Sequence, residues 1–496
     1  MRISVLLDMS ADTAPGRVAI DGAGGRLTFS ELRDAARACA HSLATSPATT
    51  VAYLGTNTPA FPVALYGAAL AGRPFCPLNY RLPDERLVKQ LGRLAPAVLY
   101  ADATMAARVA GIDGIEVRDA AALAAAGVPP DRHDSADDDG PEAALLLFTS
   151  GTSGEPKTAV LTHQNLTSYV MQTVEFMGAS EHEAALASVP PYHIAAVAGV
   201  LSATCAGRRI VQLESFTPAD WVRTVRDFAV THAMLVPTML ARVLDLLEHD
   251  HAGLPALRHL AYGGGRMPVA VIRRALARLP EVDFANAYGL TETSSTLSLL
   301  GPEDHRLARS DDSAALARLA SVGRPLPGVE VEVRDAAGRA VAAGTPGEIH
   351  VRGEQVSGRY ADRCLTAADG WFATRDRGWF DADGYLYVDG RLDDVIVRGG
   401  ENISPGEIED VLRQHPAVAD VAATGEPDEQ WGERVVAFVV RRAGAPVDAA
   451  ALRAFVRERL RSTRTPDAIH FRDELPYNET GKLLRRVLRD ELRPRG

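Results

Sequence analysis

Cysteine is scarce in this chain, and its placement excludes two classes at once. The 496 residues hold 4 cysteines, Cys39, Cys76, Cys205 and Cys364, far apart and with no Cys-x-x-Cys pair. That pattern argues against a disulfide framework and a zinc site, and the expectation is reduced thiols in the core. Long apolar runs are equally rare. The richest, Ile194 to Ala206, includes Ser202 and Thr204 and falls short of the ~20 residues of a membrane helix, so it reads as a buried wall. The first apolar run is cut by Asp8, too early for a signal peptide, and the terminal Arg-Pro-Arg-Gly is no peroxisomal or retention tail. A cytoplasmic protein is expected from this. Basic charge is lacking too: a formal net charge of -11 argues against a nucleic-acid partner. No internal repeat is visible, which sets solenoids aside.

What is present is an ordinary globular composition, 46% hydrophobic and 24% charged, in a chain long enough for two or more domains. Its organising stretch is Ala143 to Lys157. Ala143 to Phe148 reads as a buried strand that empties into hydroxyls and glycines. Gly151 and Gly154 let backbone N–H groups converge, Thr149, Ser150, Thr152 and Ser153 add hydroxyls, and Lys157 adds a positive charge. These are the parts of a phosphate cradle, although the spacing is not that of a Walker loop.

Around it the chain alternates helices and short strands, the pattern of a mainly parallel α/β sheet. Thr28 and Glu31 form a capping box ahead of an Ala-rich helix reaching Ala44. Val51 to Gly55, Ile210 to Leu213 and Ala233 to Pro237 are strand-like. Asp131 to Gly140 carries five Asp in ten residues without periodicity, which reads as a solvated loop rather than a metal site. His193 follows a double proline at the mouth of the Ile194 stretch, either as a satisfied core histidine or as a ring turned toward a pocket. Gly263, Gly264 and Gly265 are either a plain loop or a bed for a flat ligand such as a purine. Thr291 and Glu292, expected just after a glycine turn, suit a phosphate oxygen and its magnesium ion. From Gly347 the composition shifts to short β units, and Gly390 to Asp394 interrupts them with charge, as a hinge between domains would. Arg398 to Glu401 is a tight turn. Ser404, Pro405 and Glu407 have the form of a helix start, with the Ser404 cap worth about 1 kcal/mol.

Taken in order, Phe-Thr-Ser-Gly-Thr-Ser-Gly-Glu-Pro-Lys, Pro-Tyr-His, Tyr-Gly-Leu-Thr-Glu, Gly-Arg-Leu-Asp-Asp, Arg-Gly-Gly-Glu-Asn-Ile-Ser-Pro-Gly-Glu-Ile-Glu and Asn-Glu-Thr-Gly-Lys resemble the motifs of the adenylate-forming superfamily. That superfamily spans acyl- and aryl-CoA synthetases, peptide-synthetase adenylation domains and firefly-type luciferases. The resemblance covers about Thr28 to Lys482 and is nearest in pattern to the CoA synthetases. It implies an α/β fold: a large N-terminal domain of mainly parallel sheets with a β-barrel-like subdomain, residues 1–391, and a small α+β domain, residues 392–496, on a hinge at Asp393.

The resemblance also implies roles. Thr149 to Lys157 would hold the phosphates of ATP, with Thr149 and Glu292 positioning Mg2+ and Thr291 touching the α-phosphate. Gly263 to Gly265 and Asn286, Ala287 and Tyr288 would sandwich adenine, with Gly289 beside them. Asp376 and Arg391 would grip the ribose, and Lys482 would bridge the substrate carboxylate and the α-phosphate. Arg398, Gly399 and Gly400 would line the pantetheine tunnel of CoA, and His193, Ala196, Gly199, Gly264 and Gly289 would face the acid. Two positions depart from the usual pattern: Arg375, where many relatives have glycine before the ribose Asp, and Thr158, where glycine often follows the loop lysine.

The expected activity is ATP-dependent joining of a carboxylic acid to CoA through an acyl adenylate. Tyr192 to Gly199 contains no acidic residue to pair with an ammonium group, so an acid without an α-amino group is expected. Ala195, Ala196, Ala198 and Gly199 either leave room for a bulky hydrophobic acid or pack helices. An acyl carrier protein is the alternative thiol partner. A luciferase-like oxygenase and a catalytically dead nucleotide-binding regulator remain further readings, and a homodimer is left open.

Overall fold

The computed structural model describes residues 1–22, 24–125, 142–149, 157–250, 252–310, 312–477 and 483–492. Short apolar strands alternate with helices, and among the described residues the strands form four sheets. A nine-stranded sheet runs in the order Arg324–Pro325, Ser295–Leu300, Asp283–Leu290, His259–Gly263, His232–Leu235, Ala184–Ala187, Arg209–Gln212, Val18–Gly22 and Leu27–Thr28. Its central pairs are parallel, with Gly263 beside Ala287 at the carboxyl ends of two neighbours. A six-stranded sheet carries Ala143–Thr149 and Lys157–Thr162 at one side, antiparallel to each other and joined through the phosphate-loop segment.

Helices Ser4–Thr13, Phe29–Ala44, Ala60–Leu70 and Ile194–Ala206 share one hydrophobic cluster with strands of both sheets, including Ile20, Tyr53, Val98, Leu145 and Ile210. The Phe29–Ala44 helix starts as its sequence dictates: Thr28 Oγ1 accepts from the Glu31 amide at 3.2 Å, and the Glu31 carboxylate accepts from the Thr28 amide at 2.7 Å. Those bonds to the charged form hold the Glu31 carboxyl below its usual range. Ile194–Ala206 is the buried wall expected, ended by Gly207 at φ 69°.

A four-stranded antiparallel sheet, Glu330–Arg334, Gly347–Arg352, Phe372–Phe380 and Leu386–Arg391, leads to the short turn Leu392–Asp394. Beyond it lies a small sheet of Glu401–Ile403, Ile396–Arg398, Gly432–Arg441, Val418–Asp428 and Ala468–Arg472. Among the described residues, hydrophobic clusters on the two sides of the turn share no residue: those before it end at Val388 and those after it begin at Ile396. Polar contacts cross instead, among them Arg266 to Asp410 and Ser404 to the Asp389 carbonyl.

Three sequence expectations need correction. Cys364 is exposed, whereas the other three cysteines are buried; it lies on an irregular segment outside every core cluster. The Ser404 hydroxyl does not cap its helix: Pro405 does open it, but Oγ donates to the carbonyl of Asp389 at 3.1 Å. Gly289 belongs to the strand Asp283–Leu290 rather than to a turn, and the chain reverses only at Thr291–Thr293. The Asp131–Gly140 cluster lies outside the described residues.

The small domain is pinned by an ion pair that burial makes consequential. Glu409, with a side chain 4% exposed, meets Arg485 at 2.5 Å and accepts from the Ala423 amide at 2.8 Å. Removing one member strands the other charge out of water. Glu409→Gln is expected to cost about 3–5 kcal/mol in urea unfolding, with Glu409→Leu/Arg485→Met recovering most of it. A loss below about 1 kcal/mol for the single variant would mean that solvent reaches Arg485.

Candidate active site

The carboxyl edge of a parallel sheet is where strands end and loops collect, and here three of the sequence candidates meet there. His259–Gly263 runs out into Gly264 and Gly265, both exposed, and the neighbouring Asp283–Leu290 runs out into Thr291–Thr293. Backbone approaches backbone closely at both exits. A Cβ on Gly263 would lie 2.2 Å from the Ala287 carbonyl oxygen, and one on Gly289 would lie 1.6 Å from that of Ser295. Only glycine fits at either place, and past the buried Gly263 the main chain of Gly264 and Gly265 is exposed, as a flat ligand would need. Asn286 is turned inward, its amide donating one of its two N–H groups to the Ser321 carbonyl at 3.0 Å.

Beyond Glu292 the backbone is strained: Ser294 and Ser295 have φ of 57° and 105°. Gln355, fully buried, holds them by donating to the carbonyls of Thr293 and Thr296 at 2.9 and 2.7 Å. Such strain persists only where neighbours over-determine it. The segment that follows Gln355 lies along Lys157–Thr162, with Val160 donating to Arg359 and Ala361 donating to Thr158, both at 2.9 Å. The same segment reaches Glu292: the amides of Ser357 and Gly358 donate to its carbonyl, and the Tyr360 hydroxyl donates to its carboxylate Oε1. Phosphate-loop strand and Glu292 turn are therefore laced together through residues 357–361.

Thr149 and Lys157 face each other across the base of the phosphate loop, Oγ1 of Thr149 donating to the Lys157 carbonyl at 3.4 Å. Ser150, Gly151, Thr152, Ser153 and Gly154 lie outside the described residues, as does Lys482. The hydroxyl of Thr149 and the carboxylate of Glu292 are both oxygen donors, the chemistry that Mg2+ takes, a cation that fills its remaining positions with water and phosphate oxygens.

Asp376, 6% exposed, accepts from the Tyr288 hydroxyl at 2.6 Å and meets Arg391 Nε at 3.1 Å. Burial and the adjacent Asp376 charge raise the Tyr288 phenol well above its usual range, so it stays a donor. Arg375, the departure from the family pattern, sits at φ 62°, the left-handed conformation that glycine adopts freely. Its guanidinium pairs with Asp393 in the turn after Arg391. Thr158, the second departure, needs no glycine: it is buried and accepts from Arg93.

His193 precedes the helix Ile194–Ala206, its ring 4.5 Å from that of Tyr192. Nε2 is buried and has no hydrogen-bond partner among the described residues. Burial, helped by the charge of Arg81, lowers its pKa to about 4, so the ring is neutral near pH 7 and can bond a ligand without adding charge. On the helix, Ala196 and Ala198 are buried. Gly199 is exposed, with open space where a Cβ would stand. In the small domain Gly399 and Gly400, at φ 55° and 80°, turn the hairpin between Ile396–Arg398 and Glu401–Ile403. Arg398 there is held by Asp467 at 2.9 Å.

Sequence reasoning missed Gln355, Tyr360 and the pairing of Arg375 with Asp393. The tyrosine in Gly-Arg-Tyr carries no local sign of a partner 68 positions away. Close approach at Gly289 makes one prediction: Gly289→Ala destabilises the chain by about 1–3 kcal/mol in thermal unfolding. Gly265→Ala, whose nearest neighbour would be 3.9 Å away, serves as the tolerated control. Equal melting of the two would contradict the close approach.

Known proteins match this chain along most of its length. The family model described as AMP-binding enzyme matches residues 7–361, and the one described as AMP-binding enzyme C-terminal domain matches residues 407–482. A feruloyl-CoA synthase of Amycolatopsis sp is 33% identical, over 97% of this chain and 96% of the relative. A fatty acid–[acyl-carrier-protein] ligase, ScoC of Streptomyces coeruleorubidus, is 32% identical over 94% of this chain and 92% of its own. Among solved structures, o-succinylbenzoate CoA synthetase (MenE) from Bacillus subtilis superposes with a TM-score of 0.84 at 28% identity, covering 98% of both chains. It has been seen with the acyl-adenylate intermediate OSB-AMP and with ATP and magnesium ion.

Proposed function

Because the chain belongs to the AMP-binding enzymes, the adenylate-forming superfamily of acyl- and aryl-CoA synthetases, we propose that the glycine edge, Asp376 and the Thr149–Glu292 set form one site. There ATP and a carboxylic acid become an acyl adenylate, which a thiol then opens. The enzyme is an AMP-forming acid–thiol ligase. The observation that carries the site assignment is the lacing of residues 357–361 between the phosphate-loop strand and Glu292, because it brings phosphate-binding and metal-binding groups to one place.

Chemistry follows from charge. A carboxylate approaching ATP is repelled, and negative charge grows on the α-phosphate oxygens as the new P–O bond forms and pyrophosphate leaves. Mg2+ on Thr149 and Glu292 would supply electrostatic stabilisation of those oxygens. Lys157 and the loop amides neutralise the departing phosphates, Thr291 touches the α-phosphate, and Lys482 bridges it to the acid. Asp376 and Arg391 hold the ribose while Gly263 to Gly265 and Asn286 to Tyr288 hold the base. In the second step the thiol adds to the acyl carbonyl and AMP departs. Arg398, Gly399 and Gly400 line the thiol's approach after the small domain, residues 392–496, turns about Asp393. One site thus serves two steps by changing the face that the small domain presents.

The acid is hydrophobic and lacks an α-amino group, because Tyr192 to Gly199 offers no carboxylate to an ammonium and the neutral His193 cannot replace one. Gly199 gives it room. CoA is the thiol favoured by the CoA-ligase relatives; a carrier-protein pantetheine is the second reading, supported by the carrier-protein ligase relative.

Mass spectrometry of the protein with ATP, Mg2+, CoA and hydrophobic acids of graded bulk is expected to find both acyl-AMP and acyl-CoA. Acyl-AMP without thioester would move the acceptor to a carrier protein, and neither product from any acid would refute the ligase reading. Lys482→Ala is expected to slow acyl-AMP formation by roughly a hundredfold or more while sparing thioester formation from supplied acyl adenylate. Equal losses in both steps would contradict the division of labour.

A further inference from the structure

Tyr360 stands between two groups to which the reaction assigns opposite charges. Its ring is 8% exposed, and its hydroxyl donates to Oε1 of Glu292. Lys157 Nζ lies 5.8 Å from the ring centroid, over the face, within cation–π range. The backbone beside it is fixed as well: Ala159 bridges to Tyr360, and Ser357 and Gly358 hold the Glu292 carbonyl at 2.8 and 3.3 Å. We propose that Tyr360 is a positioning residue that sets two parts of the site at once, orienting the Glu292 carboxylate with its hydroxyl and seating the Lys157 ammonium with its ring. This inference rests on the reading of Glu292 as the metal-binding carboxylate.

A carboxylate at a short turn swings about its side-chain torsions unless something holds it, and magnesium tolerates little departure from octahedral geometry. A charge-assisted bond to one oxygen fixes the carboxylate plane, so that Glu292 would be held ready to take a cation. Partners that orient a ligating group in this way are worth roughly 10–100-fold in metal affinity. The ring has a separate task, since Lys157 ends the phosphate loop and a flexible ammonium loses less entropy on binding phosphate when an aromatic face already confines it. Hydroxyl and ring can therefore be removed one at a time.

Calorimetric titration of the full chain with ATP and no acid, in Mg2+ and again in EDTA, separates the two tasks. Tyr360→Phe, which keeps the ring, is expected to weaken binding about 10–100-fold in Mg2+ and by less than about twofold in EDTA. Tyr360→Leu, which removes both, is expected to weaken binding in both conditions. The ratio of the two affinities does not depend on how much protein is folded, so a merely structural loss leaves it unchanged. An unchanged ratio for Tyr360→Phe alongside a reduced one for Glu292→Gln would overturn the role of Tyr360 alone. An unchanged ratio for Glu292→Gln would overturn the metal assignment beneath it.

Discussion

The buried carboxylate of Asp376 is the junction on which the arrangement of the molecule depends. It accepts from Tyr288 on the nine-stranded sheet and pairs with Arg391 at the end of the four-stranded one, one residue before the turn that leads to the small domain. A buried charge must be matched or the fold is destabilised, and both partners come from other elements. Satisfying one carboxylate thus joins two sheets beside the glycine edge and fixes where the small domain begins. Arg391 is doubly placed, since its Nη1 also donates to the Thr374 carbonyl at 2.8 Å on the Asp376 strand.

The turn Leu392–Asp394 is gripped from both sides. Arg375 of the large domain pairs with the Asp393 side chain, and Arg489 of the last described helix donates to the Asp393 carbonyl at 2.7 Å. Among the described residues no hydrophobic cluster crosses it. Polar contacts exchange with water at little net cost, whereas apolar ones do not, so a joint rich in the former suits the turning of the small domain proposed above.

Much of this was legible in the sequence wherever a local rule decided the outcome. Thr28 and Glu31 announce a helix start because their bonds span three residues, and the apolar run Ala143 to Phe148 announces a strand because nothing in it can face water. Gly263 and Gly289 were legible as glycines with a purpose, but the purpose, backbone against backbone, appears only when two strands are brought side by side. Ser404 shows the limit. Its context, Ser-Pro-Gly-Glu, has every mark of a cap, yet a carbonyl fifteen residues upstream takes the hydroxyl. Arg375, Tyr360 and Arg485 were illegible for the same reason, each being defined by a partner distant in the chain. Ala196 and Gly199 look equivalent in sequence; the helix turns one into the core and the other toward open space.

The central claim is that the acid's own oxygen attacks the α-phosphate of ATP. Supplying an acid labelled with 18O in its carboxylate, with ATP, Mg2+ and CoA, and weighing the released AMP tests it most directly. The account predicts that AMP gains one heavy oxygen, because the bond formed in the first step joins the carboxylate oxygen to phosphorus and the second step breaks its bond to the acyl carbon. Unlabelled AMP, or label recovered in inorganic phosphate or pyrophosphate, would contradict it.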